Sequence, residues 1–232
     1  MLKQNAGPAH ILVFDVNETL LDVNALRPRF ERIFNDPGVL KLWFAQMLLY
    51  SQTVTQTGEY ADFGKIGRAA LEMMAEIRGI DIAESDIADV IGSMRSLPAH
   101  PEVTEQLGRL RQSGFRTVAL TNSPEGVARE QIENAGLSSM FERLFSVEAV
   151  RKYKPAGEPY RQVAGEFRVN TSQRVMIASH PWDLMGARAA GYEIAFVQRP
   201  GTAWFPLAPP PSIRGTDLIE IANQLIGSTA SA

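Results

Sequence analysis

The stretch HILVFDV, residues 10–16, carries a short apolar run with β-branched members that leads into an acid, Asp15. Preceded by Gly7 and Pro8, it reads as a strand buried on both faces. NETLLD follows, and then the pattern changes. From about Leu26 to Leu97 the chain is rich in Leu, Met, Ala, Glu, Arg and Gln, with apolar residues at helical spacing. LKLWFAQMLLYSQ (40–52), FGKIGRAALEMMAEIRG (63–79) and IAESDIADVIGSM (82–94) are predicted helices, the last with Ser85 and Asp86 as N-terminal caps. Beyond Pro98 and Pro101, helices and strands alternate. EVTEQLGRLRQSG is a helix closed by Gly114, FRTVALT a strand, and PEGVAREQIENAG a helix running from Pro124 to Gly136. Strands in FERLFSVEAV, RVMIAS and YEIAFVQ alternate with helices in GEPYRQVAGEF and DLMGARAAG. A Pro-rich loop, PGTAWFPLAPPP (200–211), precedes a last helix in DLIEIANQLI. The order predicts an α/β fold, a Rossmann-like parallel sheet core in residues 1–22 and 98–232, with a helical unit inserted at residues 23–97.

Composition narrows the function classes. The chain has 232 residues, 45% of them hydrophobic, enough for a sizeable core. A net charge of -3, with both signs spread along the chain, gives no basic patch for a nucleic acid. No cysteine is present, which excludes disulfides, thiolate metal sites and cysteine nucleophiles. MLKQNAGPAH lacks a signal-peptide core, and no apolar run approaches the roughly 20 residues that span a bilayer. The expectation is a cytoplasmic protein with neither a membrane nor a nucleic-acid partner.

In open parallel sheets, ligands bind at the carboxyl ends of the strands. The first strand ends at Asp15, with Asn17 and Thr19 just beyond. The second ends at Thr121, Asn122 and Ser123. Past the third lie Lys152, Lys154 and Tyr160, and past the fourth Ser179, His180 and Asp183. Any one of these is most simply a solvated loop residue or a cap. Four sets in order, each small polar or ionisable, point to one site.

FDVNETLLD, LTNSPEG, KYKPAGEPY and ASHPWDLMGARAAGY, in this order, resemble the four motifs of the haloacid dehalogenase superfamily. The resemblance spans almost the whole chain and is nearest to the type II, L-2-haloacid dehalogenase-like group, whose cap domain the helical insert resembles. It implies that Asp15 is a covalent nucleophile, forming an ester or acyl-phosphate that water then hydrolyses. It implies that Thr19 orients Asp15, that Thr121 and Asn122 bind substrate or leaving group, and that Lys154 keeps Asp15 ionised. Tyr160 matches a tyrosine near the lysine. Asp183 matches the last motif's acid, suited to activating water or pairing with Lys154. Ser179 and Trp182 of that motif would sit beside the substrate.

Two departures separate the substrate classes. Phosphatases of this superfamily usually carry a second aspartate two residues after the nucleophile, where Asn17 stands and can donate no acid proton. They also usually hold Mg²⁺ with an acidic pair in the last motif, which here reads Ser179 and Asp183. Both changes favour metal-free, cofactor-free hydrolysis at carbon of a small 2-halo carboxylate. A specialised phosphatase is the alternative.

Two further departures concern the pocket. The dehalogenases have an arginine after a Leu-Trp pair in the cap, implicated in halide binding; here LWF puts Phe44 there. Phe63 matches a pocket phenylalanine, although core packing is the simple reading of both rings. Restoring the charge by Phe44→Arg is expected to raise dehalogenation, unless Arg27, Arg29 or Arg32 already reaches in. His180 replaces an asparagine near the hydrolytic water. It either packs a strand end or, with a pKa near neutrality, positions or deprotonates water. His10 and His100 read as structural. Trp204 and Phe205 could cover the site or mediate dimerisation, which leaves a homodimer open.

Overall fold

A computed structural model describes residues 11–168 and 173–230. His10 lies outside the described residues. Six strands form one parallel sheet: β1 (Ile11–Phe14), β2 (Arg116–Thr121), β3 (Arg143–Ser146), β4 (Arg174–Ala178), β5 (Glu193–Val197) and β6 (Ile213–Gly215), in the order β3-β2-β1-β4-β5-β6. The helices of the α/β part are α5 (Val103–Gln112), α6 (Glu125–Asn134), α7 (Gly157–Phe167), α8 (Pro181–Ala189) and α9 (Leu218–Ala230). Between β1 and α5 lie α1 (Arg27–Phe34), α2 (Val39–Thr57), α3 (Phe63–Ile77) and α4 (Glu84–Ser93). Among the described residues no strand falls between 23 and 97, and no helix is long and apolar enough to cross a membrane.

Side-chain alternation explains how the sheet is covered. Leu12 and Phe14 of β1 join Ala119, Val175, Ile177 and Val197 on one face. Ile11 and Val13 join Val118, Leu120, Met176 and Phe196 on the other, against α7 and α8. The first cluster runs without a break through Leu20 and Leu26 to Phe30 and Trp43, so the helical insert shares a core with the sheet. Apolar burial at about 25 cal/mol per Å² is what seats one on the other. The two chain crossings are zipped by backbone: Asp22 N–H donates to the Pro98 carbonyl at 2.8 Å, and His100 N–H to that of Leu20 at 2.9 Å.

Local chemistry sets the ends of the elements. Asp62 caps α3, its carboxylate accepting from the Gly64 and Lys65 amides. Gly114 and Gly136 take φ of 88° and 70° after α5 and α6.

Several expectations change. Ser85 and Asp86 are not caps: α4 begins at Glu84 with Ala83 as N-cap, and Asp86 lies in the first turn, bound to Arg32. The last-motif helix begins at Pro181, because proline's fixed φ suits a first turn that needs no N–H. Strand β6, three residues with only Ile213 apolar, left no periodic signal. Trp204 does not cover the strand-end residues. Its ring packs edge-on against Phe196 at 5.4 Å and its N–H donates to the Ala208 carbonyl, pinning the Pro-rich loop to β5.

Candidate active site

β1, β2 and β4 are adjacent, so their ends deliver residues to one place. Asp15 follows β1 and its amide donates to the Ile177 carbonyl of β4 at 3.0 Å, continuing the ladder by one residue. That rigid link aims its carboxylate. The Thr19 hydroxyl donates to Asp15 Oδ2 at 2.7 Å and accepts from the Ser179 amide at 2.9 Å; the two hydroxyls of Thr19 and Ser179 lie 3.2 Å apart.

Lys154 approaches from the opposite side and is wholly buried. Its Nζ donates to Asp15 Oδ1 at 2.8 Å, Asp183 Oδ2 at 2.6 Å and the Leu120 carbonyl at 3.1 Å. All three ammonium protons therefore have an acceptor. Its backbone amide donates to Asn122 Oδ1 at 3.2 Å. The Thr121 hydroxyl accepts from the Ser123 amide at 3.1 Å. Tyr160, 0% exposed, donates its hydroxyl to Asp183 Oδ1 at 2.6 Å. It holds the acid in place.

Electrostatics follow from this packing. Burial pushes the Asp15 carboxyl up, but Lys154 and His180 outweigh it and hold the group well below the usual carboxylate range. Burial pushes Asp183 up, and Lys154 only partly opposes it. Burial would depress Lys154, but the two carboxylates reverse the sign.

His180 departs from its sequence reading. Its Nδ1 lies 3.3 Å from Asp15 Oδ2 and its Nε2 2.5 Å from Glu18 Oε2. Burial alone would discharge the ring, but the hydrogen bonds to the two carboxylates raise its pKa to about 9. At neutral pH it is an imidazolium, so a base poised near neutrality is not what the free protein holds. Phe44 lies nearly parallel to it, with centroids 6.1 Å apart and planes at 25°, and Trp182 flanks it at 5.3 Å. Phe63 instead packs against Tyr153 at 5.8 Å. Arg29 and Arg32 are spent on Asp89 and Asp86 at the surface of α4.

Some neighbours escaped the sequence reading. Glu18, in the turn after β1 at φ 62°, is one, its carboxylate set against His180 Nε2. Arg199, just past β5, is buried and donates to the Thr19 carbonyl at 2.8 Å and to Glu102 at 2.5 Å; the strand-end rule extended to β5 finds it. Gln131 of α6 donates to Asn17 Oδ1 at 3.0 Å and to the Met94 carbonyl at 2.7 Å, while Asn17 donates to Ser123 at 3.3 Å. His100 Nε2 is 3.2 Å from the Glu18 carbonyl, a structural contact. The loop carrying Lys154 also grips the helical insert. Lys152 Nζ donates to the Thr55 carbonyl at 2.8 Å, and the Tyr153 hydroxyl to that of Ala61 at 2.6 Å.

Known proteins share this arrangement of chain. The protein is 29% identical over 202 residues to haloacetate dehalogenase H-2 of Moraxella sp. (strain B), covering 86% of this chain and 90% of that one. It is 26% identical to (S)-2-haloacid dehalogenase H-109 of Pseudomonas putida, covering 94% and 99%. The L-2-haloacid dehalogenase structure from Xanthobacter autotrophicus superposes with a TM-score of 0.87 over 94% of this chain and 99% of that chain, at 24% identity, a likeness of fold. The model of the haloacid dehalogenase-like hydrolases matches residues 9–191, and the chain belongs to that family.

Proposed function

We propose that the protein hydrolyses the carbon–halide bond of a small 2-halo carboxylate to a 2-hydroxy acid, by displacement on Asp15. The observation that carries this reading is the state of that carboxylate: fixed by Thr19, paired with Lys154 and held ionised. An ionised, oriented carboxylate is the nucleophile that an alkyl halide requires. Halide leaves as the anion of a strong acid, so no proton donor is needed beside it. The Asn17 amide, engaged by Gln131 and Ser123, supplies none, which weighs against an alkoxide leaving group such as a phosphatase releases.

Asn122 has its Oδ1 on the Lys154 backbone and keeps its amide N–H₂ to donate to the departing atom. Phe44 supplies an apolar wall, with Trp182 behind His180. Phe63 backs the pocket through Tyr153. The donor set does not suit a divalent cation. Asp15 and Asp183 share one ammonium, and an imidazolium stands beside Asp15. Residues 23–97 serve as the cap that closes over these groups.

The test is chloride release from L-2-chloropropionate, followed by a single turnover in ¹⁸O water. One label in the Asp15 side chain before any appears in the product is the expected result. All label passing directly to the product rules the covalent route out.

A further inference from the structure

Ester hydrolysis needs a base, and the buried acid is spent. Both Asp183 oxygens are taken, one by Lys154 and one by Tyr160, and the residue is 0% exposed. Lys154 is a cation with three acceptors. His180 is the remaining titratable group against Asp15 among the described residues. Nδ1 faces Asp15, Nε2 faces Glu18, and the Phe44 and Trp182 rings fix the imidazole plane.

The charged groups around it are few. Asp15 comes from the end of β1 and Glu18 from the turn beyond. Lys154 acts from the far oxygen of Asp15, and Asp183 of α8 acts through Lys154. His100 meets Glu18 at its carbonyl. From α2 comes the Phe44 ring, without charge.

Resting on the dehalogenase reading, we propose that Glu18 and His180 are the water-activating pair of the second half-reaction. In the free enzyme His180 is an imidazolium braced by two carboxylates; once Asp15 is an ester, it is a base braced by Glu18 alone. In the first step an Asp15 oxygen bonds to the substrate carbon, and the carbon–halogen bond breaks with its electron pair leaving on the halide. Asp15 thereby loses its charge. His180, deprived of one anion, gives its Nδ1 proton to solvent. Water then adds to the Asp15 carboxyl carbon while one of its protons passes to Nδ1. Collapse of the adduct expels the alkoxide, which takes the second proton of that water. Asp15 is again a carboxylate and His180 again an imidazolium. Halide, 2-hydroxy acid and one proton are the products of haloacid and water. The arrangement follows the carboxylate–imidazole–nucleophile logic of hydrolases that activate an oxygen with histidine, with Glu18 as positioning residue.

Rapid-quench chloride release and intact-protein mass spectrometry with L-2-chloropropionate test the pair, using the wild type, His180→Gln and Glu18→Gln. Both variants are expected to release about one equivalent of chloride and then stall with the ester on Asp15. Steady-state turnover should fall roughly hundredfold in His180→Gln and roughly tenfold in Glu18→Gln. The burst itself shows that a variant is folded and can alkylate Asp15, an outcome a merely structural role would not give. Chloride release by the wild type with no ester accumulating in either variant overturns the pair alone. No halide release by the wild type overturns the dehalogenase reading and the pair with it.

Discussion

The sheet side and the helical side of the cleft are made of different materials. The segments that follow the strands bring Asp15 and Asp183 to the Lys154 ammonium at 2.8 and 2.6 Å, and a fourth ionisable group, His180, lies 3.3 Å from Asp15. The inserted helices bring aromatic rings, Phe44 onto His180 and Phe63 onto Tyr153. Buried charges are tolerated only with partners at fixed geometry, and parallel strands locked by a backbone ladder hold partners well. Rings need only area and shape, which packed amphipathic helices supply. Substitutions should therefore be costly on the sheet side and mild on the helical side.

The largest effect is expected from Asp15→Asn, which should lower halide release by about 10⁴-fold or more while circular dichroism stays unchanged. Next comes Lys154→Met. It removes the cation between two buried carboxylates, and should lower turnover about 10²–10³-fold and stability by about 3–5 kcal/mol in urea unfolding at pH 7. Because burial already raises Asp183, and losing Lys154 raises it further, this stability loss should shrink as pH falls and the acid protonates. A loss independent of pH would break the assignment of the penalty to charge.

His180 gives a pH signature of opposite sign. Its folded pKa of about 9 lies above the ordinary histidine value of 6.5, so its stabilisation is fully present below about 6.5 and lost as pH rises through 9. Wild type and His180→Gln should differ in urea midpoint at pH 6 and converge at pH 10. On the helical side, Phe44→Arg sharpens the contrast. The sequence alone suggested a gain in dehalogenation. With an imidazolium against Phe44, a second cation should instead lower the His180 pKa and cut turnover about two- to fivefold. A rise in halide release would show that the sheet side lacks positive charge. The smallest effect is expected from EDTA, which should leave halide release unchanged.

The sheet and its helices were legible because they rest on short-range patterns: short apolar runs, helical spacing, glycine after helices, and polar residues past each strand. Strand β6 was too short to show an apolar run. What stayed hidden was how side chains pair. Nothing in spacing says that Tyr160 donates to Asp183, or that Glu18 folds back onto His180 through a positive φ. Ser85 and Asp86 looked like caps by residue type, yet α4 starts one residue before them and Arg32 recruits the acid.

Residues 152–154 act as a mechanical linkage. Two neighbours in this run hold the helical insert at Thr55 and Ala61, and the next holds the Asp15 carboxylate. Lifting the helices by more than a hydrogen-bond length must either break the Lys152 and Tyr153 tethers or drag the ammonium off Asp15. While those tethers hold, any shift of the helical insert at Thr55 and Ala61 is passed through two peptide units to the ammonium that sets the charge of Asp15.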